Sequence, residues 1–152
     1  MTTSILKTYI EAPVAQVFDL SRDIDFHKTA ASQTKETAIN GVTSGLISFG
    51  ESVTWRGKHF GLYVQHTSKI TTFDRPSKFT DVMTKGHFIY FAHQHLFETS
   101  GSGTLLTDIL TYKTSFGIFG KIFDKLLLKK HLKDFLMKRN FQLKAALEAS
   151  NY

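Results

Sequence analysis

Cysteine is absent from this chain of 152 residues, and proline occurs only twice. The first absence excludes a disulfide framework, a Cys-based zinc finger, an iron–sulfur cluster and a thiolate nucleophile. It does not set the redox compartment, because secreted chains can lack cysteine too. No stretch approaches 18 uninterrupted apolar residues, so no membrane-spanning helix is expected. The start, Met1 to Lys7, has neither a basic segment nor a long apolar one. It does not read as a secretory signal, and a cytoplasmic protein is the expectation. No internal repeat, low-complexity run or Pro/Ser-rich linker divides the sequence, so residues 1–152 are expected to form one domain. A chain of about 150 residues buries close to 70 per cent of its unfolded surface, enough to fold without disulfide or metal.

Acidic residues are the scarcer sign, 13 against 19 Lys and Arg, and the excess is lopsided. From residue 117 to 149 stand Lys121, Lys125, Lys129, Lys130, Lys133, Lys138, Arg139 and Lys144, opposed by Asp124, Asp134 and Glu148. That segment carries +5 of the formal net charge of +6, and the rest of the chain is almost neutral. Lys121, Lys125 and Lys129 repeat every four residues and would line one side of a helix. One reading is a solvated face whose lysine stems cover apolar surface. Another is weak contact with an anionic membrane, aided by Ile118, Phe119, Ile122 and Phe123. Nucleic acid is not expected, since neither aromatic platforms nor a docking motif accompany the lysines.

Ser4 to Glu11 reads as a strand ended by Ala12-Pro13. Pro13 suits a helix start, and Val14, Val17 and Phe18 follow at helical spacing. A second short helix is expected near Asp25 to Ala31. From Thr37 to Ser115, segments rich in Thr, Val, Phe and Tyr alternate with Gly-containing turns. Strands are expected near Glu36–Ile39, Leu46–Phe49, Ser52–His59, Tyr63–Phe73, Lys78–Thr84, Phe88–Glu98 and Thr104–Lys113. Residues 119–149 form a helix of about 30 residues, long for a globular protein. Its apolar stripe shifts by roughly a quarter turn at Leu126-Leu127-Leu128, where a bend is expected. An α+β architecture follows, a curved antiparallel sheet of six or seven strands around one long C-terminal helix.

Several motifs occur in a characteristic order: Ala12-Pro13-Val14-Ala15-Gln16-Val17-Phe18, Val53-Thr54-Trp55-Arg56, Arg75-Pro76-Ser77-Lys78-Phe79, Gly86-His87-Phe88, Phe91-Ala92-His93-Gln94-His95-Leu96-Phe97-Glu98 and Phe116-Gly117-Ile118-Phe119-Gly120. Over nearly its whole length the chain resembles the START and Bet v 1-like (SRPBCC) superfamily, and within it the bacterial ligand-binding or polyketide-cyclase-like branch. Ser115 departs from the pattern, which often has Pro there. The resemblance implies the helix-grip fold and a cavity between sheet and helix for an apolar or amphipathic small molecule. It implies no particular reaction.

Strand periodicity tests whether such a cavity is chemically reasonable. In Phe88–Glu98 the odd positions Ile89, Phe91, His93, His95 and Phe97 are taken as inward. Leu106, Asp108, Leu110 and Tyr112 match them on the next strand, joined by Val53, Trp55, Phe79, Asp81 and Met83. Candidate ligand-binding residues are therefore Trp55, Phe79, Asp81, Met83, Phe91, His93, His95, Asp108 and Tyr112. Four polar groups among aromatics need partners, since an unpaired one costs on the order of 1–3 kcal/mol. His93, His95, Asp81 and Asp108 can satisfy one another and fix strand register, or bind a ligand's hydroxyl, carbonyl or carboxylate. They can also supply a general base for a cyclase or dehydratase, with His93, His95 and Asp108 as the candidates. His93-x-His95 puts two imidazoles about 6.6 Å apart at Cα on one strand face. With Asp108 or Asp81 they could chelate, but lone H-x-H pairs are common, and neither metal nor cofactor is expected. His27, His59, His66 and His87 share no spacing and are expected to be partly exposed. The leading expectation is a binding or transport protein for a hydrophobic or aromatic molecule, acting as monomer or homodimer. An enzyme and a partner-binding module through the basic helix are the alternatives.

Overall fold

The computed structural model describes residues 1–150. Seven strands, β1 (Thr2–Ile10), β2 (Thr37–Gly41), β3 (Ser52–His59), β4 (Leu62–Asp74), β5 (Lys78–Lys85), β6 (Phe88–Ser100) and β7 (Gly103–Thr114), form one antiparallel sheet. Their order is β1-β7-β6-β5-β4-β3-β2. Two short helices, α1 (Val14–Ser21) and α2 (Ile24–Ala30), connect β1 to the far edge of the sheet. The C-terminal rod consists of α3 (Gly117–Phe123), a π-helical turn (Asp124–Leu128) and α4 (Lys129–Ala149). This is the helix-grip architecture expected above. Among the described residues no helix is long and apolar enough to cross a membrane.

Local chemistry accounts for the element boundaries. Pro13 caps α1, and the Asp23 carboxylate caps α2 by accepting from the amides of Asp25 and Phe26. Phe60 and Gly61 both adopt positive φ, the backbone of a tight two-residue hairpin turn. That turn sets the β3–β4 register and puts His66 opposite Trp55. Leu46–Phe49, expected to be a strand, is not one. Gly45 and Gly50 bracket it at positive φ, and its backbone bonds go to the loop before α2, with Leu46 bridging Asp23 and Ile47 donating to the Arg22 carbonyl.

The expected bend in the C-terminal helix is the π turn. One extra residue per turn advances the following helix face by about 100°, which matches the displaced apolar stripe. Asp124 pins this turn to the sheet by accepting from the hydroxyls of Tyr112 and Thr2. At its end Leu128 packs against Leu110 and Tyr112, and beyond it Leu136, Leu143 and Leu147 are buried against the sheet and α1. Before and within it, the apolar Phe119, Ile122, Phe123 and Leu126 are exposed rather than packed in a core. The main core gathers on the other half of the sheet around Phe18, whose ring meets Phe73, Phe79 and Phe97 edge-on at 5.1 to 5.4 Å.

Candidate functional site

The sheet curves around the rod without closing the space between them. A cavity of about 790 Å³ remains, bounded by β3–β7, α2, α3 and α4. Its walls are mainly apolar and aromatic, including Trp55, Val64, Phe91, Leu110, Phe135 and Leu136. Phe116 and Phe119 line it while 84 and 76 per cent exposed, so the opening lies beside α3. Across the opening the β3–β4 turn reaches the rod, with the Phe60 ring 5.2 Å from Phe123 and 4.4 Å from His131.

Strand pairing assembles a polar cluster at one end. Asp81 stands opposite His93, and His95 opposite Asp108. Nε2 of His93 donates to Oδ1 of Asp108 at 2.7 Å, and Nε2 of His95 donates to Oδ2 of Asp81 at 3.0 Å. The two imidazoles lie close, with centroids 3.8 Å apart and their planes tilted by 31°, and His95 stacks on Phe79 at 4.2 Å. Asp108 is completely buried and is held from behind by α4. Asn140 Nδ2 donates to its Oδ2 at 2.7 Å, and Arg139 Nη1 approaches its Oδ1 at 3.3 Å. Arg139 and Asn140 are buried themselves, so this constellation locks helix to sheet.

The electrostatics follow from these contacts. Burial acts to raise the Asp108 carboxyl, but the His93 hydrogen bond, the nearby His95 and the Arg139 charge outweigh it and hold it well below the usual range. Asp81 is likewise pushed up by burial but drawn down by the His95 bond and neighbouring imidazoles, to about 2. Burial, reinforced by His95, lowers His93 despite its bond to Asp108. The cluster thus couples ionised carboxylates to an imidazole that resists protonation.

Of the expected site residues, Trp55, Phe79, Asp81, Phe91, His93 and His95 line the cavity. Asp108 does not; it lies behind the histidines as their support. Met83 does not either. It pairs with the cavity-lining Ser68 and keeps the parity of Asp81, but its sulfur folds against Gly86, 2.6 Å from where a Cβ would sit there. Tyr112 is also outside, packed behind Phe88 and Phe91 with its hydroxyl on Asp124. Ile89, expected inward, points to solvent, because a bulge between Phe88 and Tyr90 turns Phe88 into the cavity instead.

Sequence reasoning missed the other histidines. All seven in the chain line the cavity: His27, His59, His66, His87, His93, His95 and His131. His27 packs on Trp55 at 4.3 Å, and burial together with the Arg139 charge lowers it to about 4. Burial also lowers His66, which meets Phe91 edge-on. Near the opening, Glu36 lies 3.3 Å from His59 Nε2, and His59 Nδ1 lies 2.9 Å from His131 Nε2. With the Glu36 carboxylate accepting from His59 Nε2, neutral rings require His131 to donate to His59 Nδ1. A usable signal existed for His66: once Trp55 is taken as inward, its hairpin partner must be inward too.

Lys121, Lys125 and Lys129 are all exposed, along the rod segment that carries Phe116, Ile118, Phe119, Ile122 and Leu126 at the surface.

No family model matches the chain, and no curated protein matches it. Solved structures do. A protein of Thermus thermophilus, TTHA0849, is similar with TM-score 0.75 at 20% identity, covering 95% of this chain and 99% of that one. Ms6760 of Mycobacterium smegmatis aligns with TM-score 0.72 at 19% identity, covering 97% and 92%. Major latex-like protein 151 of Panax ginseng aligns with TM-score 0.71 at 16% identity, covering 96% and 97%. At these identities the likeness is one of fold.

Proposed function

We propose that this helix-grip chain binds a hydrophobic or aromatic small molecule, lipid or polyketide-like, between its sheet and its C-terminal helix. The observation that carries the reading is the cavity itself: about 790 Å³, walled mostly by apolar side chains, with its polar groups gathered in clusters. Small-molecule pockets span about 300–1,000 Å³ and combine apolar walls with a few placed polar groups. The ligand's apolar body would rest on Trp55, Phe91 and Phe135, with a hydroxyl or carbonyl toward His93 and Asp81. Trp55 is the only tryptophan, so its emission reports on occupancy. Native mass spectrometry of protein from its own host should show a co-purifying apolar molecule, and an aromatic probe should quench Trp55 saturably at one per chain. Val64→Phe, which adds a ring to the cavity wall, should weaken that quenching. No co-purifying molecule together with unsaturable quenching rejects the reading.

A second reading concerns loading. The surface aromatics beside the opening stand among Lys121, Lys125 and Lys129. Apolar residues flanked by lysines suit docking on an anionic bilayer, from which an apolar ligand could enter.

A further inference from the structure

Two histidines two positions apart on β6 share a face, and β5 brings a carboxylate beside them. Asp81, His93 and His95 each offer one ligand atom, all within 4.8 Å of one another, at the polar end of the cavity. His95 Nε2 and Asp81 Oδ2 are 3.0 Å apart. Two donors on one tetrahedral zinc, each about 2.0–2.1 Å from the metal, stand about 3.3 Å apart, so this pair is already near ligating distance.

The decisive feature is an unsolved hydrogen-bond problem at His95. Both of its ring nitrogens face carboxylates. Nε2 bonds Asp81, while Nδ1 lies 3.3 Å from Asp108 Oδ1, is fully buried, and has no hydrogen-bond partner among the described residues. A neutral imidazole has one donor and one acceptor nitrogen, so between two carboxylates it takes either a second ring proton or a cation. A cation between Nε2 and Asp81 resolves the conflict. The proton then sits on Nδ1 facing Asp108, and the Nε2 lone pair and the Asp81 oxygen both turn to the metal. His93 is already arranged in this way: Nε2 donates to Asp108 and leaves Nδ1 as the lone-pair atom. Asp108 would thus orient both imidazoles from behind, as outer carboxylates orient metal-bound histidines. Asn140 and Arg139 hold Asp108 in turn.

We propose that Asp81, His93 and His95 bind one divalent transition-metal ion of the zinc type, with Asp108 as the supporting carboxylate and a remaining coordination position open to the cavity. Two imidazoles and one carboxylate match the donor set of zinc sites that keep an open position. The site does not depend on the identity of the apolar ligand.

The test uses the untagged full chain, stripped with a chelator and titrated with Zn²⁺ by calorimetry and with Co²⁺ by visible absorption. Expected are one ion per chain and the cobalt d–d bands of a low-symmetry site. His93→Gln, His95→Gln and Asp81→Asn should each weaken binding at least tenfold, and Asp108→Asn by about 10- to 100-fold. His59→Ala and His131→Ala, which alter the other histidine group, should bind as the parent does. Far-UV circular dichroism identifies any variant that fails to fold, and the remaining cluster variants then decide. Absence of saturable Zn²⁺ binding by the parent overturns the proposal, as does binding that survives loss of His95 and Asp81 or is lost with His59. Trp55 quenching by the aromatic probe, measured on the metal-free chain, shows separately whether the cavity reading stands.

Discussion

Acid should weaken this fold well before its carboxylates protonate, and His27 offers the sharpest test. This imidazole sits on α2 against Trp55 and faces the cavity, where burial and Arg139 lower it from 6.5 to about 4. The folded state therefore binds fewer protons than the unfolded chain between those values. Its contribution is fully present above the unfolded value and is lost as pH falls from 6.5 toward 4, amounting to about 3 kcal/mol. About 2 kcal/mol of this should go between pH 7 and pH 5, where the depressed Asp81 and Asp108 stay ionised and do not contribute. His66, His93 and His131 are lowered as well and act in the same direction. His27→Phe keeps an aromatic ring beside Trp55 and Phe135 but cannot take up a proton. Urea unfolding at pH 7 and pH 5, followed by far-UV circular dichroism, should show the parent losing about 2 kcal/mol more than the variant. An equal fall in both proteins would refute the reasoning, because His27 would then have no linkage to folding.

Three further outcomes follow from the packing and the charges. Asp108→Ala leaves Arg139 buried without its carboxylate and should cost about 3–5 kcal/mol in urea unfolding. Phe18→Ala removes the fully buried ring at the centre of three edge-on contacts and should cost a similar amount, about 3–5 kcal/mol. Replacing Lys121, Lys125 and Lys129 together by Glu should abolish flotation with anionic vesicles at low salt and leave the unfolding midpoint almost unchanged, since all three are exposed. Flotation that ignores both lipid charge and these replacements would reject membrane docking.

Much of the architecture was legible in the residues because it depends on local rules. Alternation placed the long strands, and parity along β7 correctly put Leu106, Asp108, Leu110 and Tyr112 on the inner face. The phase shift in the apolar pattern at Leu126–Leu128 marked the point where the helix has its π turn. Parity failed where one residue was inserted. The bulge in β6 reversed the face of its end, so Ile89 left the cavity and Phe88 entered it, whereas Met83 kept its inner-face parity and turned its side chain toward Gly86. A bulge is decided by pairing with the neighbouring strand, and the sequence of one strand carries little trace of it.

The sequence alone determined that the chain would make an antiparallel sheet, two short helices and a long basic rod, and that Asp81, His93, His95 and Asp108 would share a face. It did so because the side-chain periods of strand and helix are local properties of the backbone. Tertiary structure decided which face of the rod meets the sheet, left the α3 aromatics in solvent, and drew seven histidines around one space. Those histidines come from β3, β4, β6, α2, α4 and the β5–β6 turn, with no common spacing, and only the curvature of the sheet gives them a common interior.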